Sequence, residues 1–67
     1  MRTYEVLGLM KARHVSFKSW ADACGEAPKT VKTHFDNDNL TKQEMLAFGR
    51  LVGENDIFVL AGLFLGK

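Results

Sequence analysis

The chain has little of what staples a small protein together. Cys24 is its one cysteine, so no disulfide can close within the 67 residues and no cysteine–histidine metal cage can be assembled. Pro28 is the one proline and Trp20 the one tryptophan. No hydrophobic run is long enough for a membrane: Ile57 to Leu65 is nine apolar or glycine residues, less than half a span. The N-terminus lacks the apolar stretch of an export signal. A free cysteine without such a signal points to a reducing compartment, so a cytoplasmic location is expected. The length excludes barrels and doubly wound nucleotide folds. So short a chain buries only about 60 % of its unfolded surface and needs a dense helical core or a partner.

Charge is small in sum and uneven in place. The net charge is +1. Residues 1–35 carry Arg2, Lys11, Arg13, Lys18, Lys29 and Lys32 against Glu5, Asp22 and Glu26, for +3. Residues 36–67 carry three basic and five acidic side chains, for −2. Such separation can give a small molecule one basic face.

Hydrophobic spacing and punctuation predict an all-α compact bundle of about five short helices. Tyr4 to Ala12 carries Val6, Leu7, Leu9 and Met10 at helical spacing, with Thr3 as the expected N-cap. A second helix follows Ser16, carries Phe17, Trp20, Ala21 and Cys24, and stops at Gly25. Pro28 suits the first position of a third helix, which runs to about Phe35. There Val31, His34 and Phe35 share one side, and Lys29, Lys32 and Thr33 the other. Asp36 to Asn39 is a turn cluster, and Thr41 with Glu44 forms a capping box for a helix ending at Gly53. Asn55 is the expected cap of a last helix, Asp56 to Leu65.

The stretch from Trp20 to Val31 sets Ala21, Gly25 and Val31 four and six residues apart. This resembles the helix-turn-helix of the phage repressor and Cro family. Ala21 is small where two helices cross, Gly25 turns the chain, and Val31 anchors the outer helix, with Trp20 and Cys24 as further core contacts. The resemblance spans nearly the whole chain and implies a lambda-repressor-like fold in one domain, residues 1–67. It implies a sequence-specific double-stranded DNA-binding transcriptional regulator in a bacterial host cell. Its third helix would read bases through Pro28, Lys29, Lys32 and Thr33. Ser16, Phe17 and Lys18 at the start of the second helix, with Asn37 and Asn39 after the third, would hold phosphate. The chain departs from the family pattern at Pro28, which offers a base only apolar contact, and at Glu26, His34 and Asp36.

Other chemistry finds less support. His14, His34 and Cys24 have no zinc-like spacing, so neither metal nor cofactor is expected. Ser16, His14 and Asp22 make no nucleophilic arrangement, and a small bundle offers no deep pocket, so an enzyme and a small-molecule substrate are not expected. The last helix is apolar all round, which calls for a partner as well as a core. A homodimer is expected, with Phe58, Leu63 and Phe64 divided between core and partner, and Gly62 permitting close backbone approach. The alternative is a helical protein-interaction module on the same fold, such as an antirepressor or an inhibitor of another regulator.

Overall fold

Helix boundaries fall where a side chain or a glycine satisfies the groups that a helix end leaves unpaired. In the computed structural model, which describes residues 1–66, five helices follow in order. They are α1 (Thr3–Ala12), α2 (Phe17–Cys24), α3 (Pro28–Asp36), α4 (Lys42–Val52) and α5 (Ile57–Phe64). No strand occurs among the described residues. Ser16 caps α2: its hydroxyl accepts from Ser19 N–H at 3.0 Å, and Ser19 Oγ accepts from Ser16 N–H at 2.9 Å. Thr41 and Glu44 close the same kind of box on α4. Gly25 ends α2 with φ +72°, a left-handed angle that a side chain would strain.

Two caps differ from the sequence expectation. Thr3 lies inside α1, whose N-cap is Arg2, because Arg2 N–H donates to Leu63 O at 2.7 Å and draws the chain into the helix early. Asp56 rather than Asn55 caps α5, accepting from Phe58 N–H at 2.9 Å, while Glu54 takes the Asp56 N–H at 3.0 Å.

Trp20 is the hub of the core. It is fully buried, with ring centroids of Phe48, Phe17, Phe64 and Phe35 at 4.9, 5.9, 6.2 and 6.3 Å. Each such aromatic pair adds about 0.5–1.5 kcal/mol beyond area burial. Ala21 and Val31 are fully buried between α2 and α3, and Cys24 is buried beside them. These are positions expected from the sequence to be small or apolar. α2 packs on α3 and α4, and α5 bridges α1 and α4.

Close approach at the end of α4 depends on Gly49, not on Gly62. A Cβ on Gly49 would meet Glu54 O and Leu60 Cδ1 at 2.7 Å, whereas one on Gly62 would meet nothing within 4 Å. The last helix divides its apolar residues between core and surface. Leu63 (6 % exposed) and Phe64 (4 %) enter this chain's own core, so of the three residues expected at a dimer contact only Phe58 (82 %) faces outward. The rotation is set by the neighbours: Phe64 stacks edge-on against Phe48 at 5.2 Å, and the Leu63 carbonyl holds α1.

Candidate nucleic-acid interface

α3 is anchored from beneath by Val31 and Phe35, which are buried. The same turns therefore present Pro28, Lys29, Lys32 and Thr33 to solvent, and all four are exposed. Pro28 occupies the first helical position, and no side chain caps the helix start at Ala27. The expected base-reading set thus lies on one free helix face.

The expected phosphate-holding set divides. Ser16, Phe17 and Lys18 form the start of α2, where Ser19 N–H is taken by the cap. The N–H groups of Phe17 and Lys18, in the first turn, have no intrahelical carbonyl to bond. Phe17 is half-buried: its ring stacks near Trp20 and meets Phe35 edge-on at 5.3 Å. Lys32 Nζ lies 5.5 Å from the centroid of that ring, which brings the α3 face beside the start of α2. Asn37 and Asn39 are exposed, and their N–H groups close the end of α3 on Thr33 O at 3.1 Å and His34 O at 2.8 Å. Among the described residues their side chains make no hydrogen bond, while the backbone N–H groups of Asn37 and Asn39 are already used.

Acidic neighbours temper the positive charge of this face. Lys32 Nζ is 2.6 Å from Asp36 Oδ1, and Lys18 Nζ is 3.2 Å from Asp22 Oδ2. Lys29 makes no ion pair among the described residues. Exposed i,i+4 pairs are worth only a few tenths of a kcal/mol, so a phosphate can displace either acid. Glu26, just ahead of α3, does not join the exposed face of that helix. Its Oε1 is shut off from solvent, and the side chain joins His34 and Glu44.

That grouping went unseen in the sequence, because its members are eight and ten residues apart on three separate elements and form no motif. Glu44 is fully buried, and its Oε1 accepts from Thr41 N–H at 2.7 Å. His34, whose side chain is 30 % exposed, holds Nδ1 at 2.8 Å from Glu44 Oε2 and 3.0 Å from Oε1. Desolvation pushes the Glu44 carboxyl up, but hydrogen bonds from the Thr41 backbone, His34, Glu26 and the Thr41 side chain outweigh it and hold the value below the ordinary one. A shared hydrogen bond with Glu44, then burial and the Glu44 charge, raise Glu26. Burial, with Glu26 and Glu44 nearby, also raises the Cys24 thiol, which stays a protonated packing group.

Between them, α4 and α5 leave an apolar groove of about 230 Å³ lined by Met45, Leu46, Ile57, Leu60 and Leu65, with Lys42 beside them. Ile57, Phe58, Val59 and Leu65 are exposed along α5. No helix among the described residues is long and apolar enough to cross a membrane. Compared with known proteins, the chain matches no family, no curated protein and no solved structure.

Proposed function

We propose that this chain binds double-stranded DNA in a sequence-specific manner and regulates transcription, with α3 entering the major groove. One observation carries the reading: the exposed face of α3 and the start of α2 form a single surface, joined where Lys32 rests over Phe17. On this reading Lys29, Lys32, Thr33 and Pro28 meet base edges, and Ser16, Phe17 and Lys18 hold the backbone on the groove's rim. Asn37 and Asn39 reach the backbone from the other end of α3. A homodimer would seat two α3 helices in successive grooves about 34 Å apart. Phe58 and its exposed apolar neighbours on α5 are the surface for that contact.

Binding-site selection from random duplexes, followed by a salt series on the winner, tests the reading. A preferred sequence whose affinity falls as salt rises supports it. Absence of both enrichment and retention on duplex DNA at low salt sinks it. The exposed apolar face of α5 favours a second reading, a protein-interaction module that inhibits another regulator; such a chain would show neither property.

A further inference from the structure

Glu26, His34 and Glu44 come from the turn ahead of α3, from α3 itself and from the first turn of α4. One ligand-capable atom of each lies within 4.8 Å of the other two. Two carboxylates brought together need their charge balanced. Among the described residues neither Glu26 nor Glu44 pairs with a lysine or arginine, and the imidazole of His34 is the one basic group in contact. Glu26 supplies an independent sign. Its Oε1 is closed off from solvent and meets no N–H or O–H donor of the chain, unless a proton is shared with Glu44. Such an oxygen is costly to bury unless a proton or a cation meets it.

We propose that Glu26, His34 and Glu44 form a site for a first-row divalent cation of the Zn²⁺ type, with three protein ligands and one position left to water. A doubly charged ion balances both carboxylates, and a neutral imidazole nitrogen completes an oxygen–nitrogen donor set that suits Zn²⁺. Ligand atoms about 2.0–2.2 Å from a tetrahedral Zn²⁺ stand roughly 3.4 Å apart. His34 Nδ1 and Glu44 Oε2, at 2.8 Å, need to part by a few tenths of an ångström, and Glu26 needs to close inward. Side-chain torsions supply both movements. Glu44 is already oriented, because Thr41 N–H holds Oε1 at 2.7 Å while Oε2 faces His34. Cys24 stays outside the set. A bound ion would clamp the turn, α3 and α4 together and so fix the seating of α3 on the core. The site does not rest on the DNA reading.

The test is a Zn²⁺ titration of the metal-stripped full chain, followed by calorimetry and by thermal unfolding, with Co²⁺ as a spectroscopic probe. About one Zn²⁺ should bind per chain and raise Tm by several degrees. Because the ligands bind the ion in their deprotonated forms, affinity should fall as pH is lowered. Glu26→Gln is the deciding variant, since an amide can still donate to Glu44 but is a poor ligand. It should weaken Zn²⁺ binding tenfold or more, while Cys24→Ser and His14→Gln leave it unchanged. His34→Asn, at a half-exposed position, reads the same site should Glu26→Gln fail to fold. A wild-type chain that binds no Zn²⁺ at about 100 μM overturns the site and leaves a proton-sharing carboxyl pair. Binding that survives both Glu26→Gln and His34→Asn overturns it too, as an adventitious site elsewhere.

Discussion

The indole N–H of Trp20 donates to the main-chain carbonyl of Glu44 at 2.8 Å, inside the core. This bond ties α2 to the first turn of α4, next to the capping box that Glu44 itself closes. Trp20→Phe keeps an aromatic ring at the hub but loses this second bond to a carbonyl that α4 already pairs, and opens a void. A lost buried hydrogen bond costs about 0.5–1.5 kcal/mol, and the void adds to it, a large share of a small domain's stability. Denaturant unfolding of Trp20→Phe should show a midpoint well below that of the wild type. An unchanged midpoint would mean that the bond contributes nothing.

Most of the fold was legible because its punctuation is local. Gly25, Pro28 and the Thr41–Glu44 box each act within one turn, and each stands where the sequence pattern places a boundary. What escaped depends on contacts between distant segments. Arg2 caps α1 because its N–H reaches Leu63. Leu63 and Phe64 turn inward because Phe48 and the start of α1 are there to receive them, and an all-apolar helix carries no signal of which side that is. The outward face of α3 was readable from periodicity alone. The inward turn of Glu26 was not, since it requires His34 and Glu44 to be brought beside it by the packing of three elements.

The proposed groove face predicts a specific pattern of affinities. Lys29→Ala and Thr33→Ala replace exposed side chains, so Tm should hardly move while DNA binding weakens. A lost base contact should cost about 1–3 kcal/mol and relax preference at particular base pairs. Asp36→Asn should act in the opposite direction. It releases Lys32 from a 2.6 Å ion pair and removes a charge that repels phosphate. Binding should tighten on every duplex, and the salt dependence should steepen. Fluorescence anisotropy across a salt series measures both. Wild-type affinity in all three variants would remove α3 from the interface.

The carboxyl cluster predicts how stability follows pH in metal-free buffer. Glu26 is raised by its hydrogen bond to Glu44, so the folded chain holds that proton more tightly than the unfolded chain does. The stability it contributes is complete below the unfolded carboxyl value and is lost as pH rises through the raised folded value. Glu44 has the opposite sign. Although desolvation pushes it up, its hydrogen bonds hold it low, so its contribution is present above the unfolded value and lost as pH falls through the folded one. Glu26→Gln should abolish the loss on the high side and keep the loss on the low side. Urea melts from about pH 3 to 8 would show it, and an identical pH profile in variant and wild type would place Glu26 outside the shared bond.

The orientation of α5 predicts which apolar residue governs assembly. Phe58 is 82 % exposed, so Phe58→Glu should fold normally. Leu63→Glu and Phe64→Glu would each place a charge in the core, where Leu63 is 6 % and Phe64 4 % exposed. A buried charge without a partner costs several kcal/mol, so both should be largely unfolded by circular dichroism. If the chain dimerises through the exposed side of α5, sedimentation at micromolar concentration should give a dimer for the wild type and a monomer for Phe58→Glu. The monomer should retain weak, salt-sensitive binding to any duplex and lose the selected site, because two linked half-site readers gain the effective concentration that one lacks. A wild type that sediments as a monomer both free and on DNA would remove the dimer and leave a reader of single half-sites.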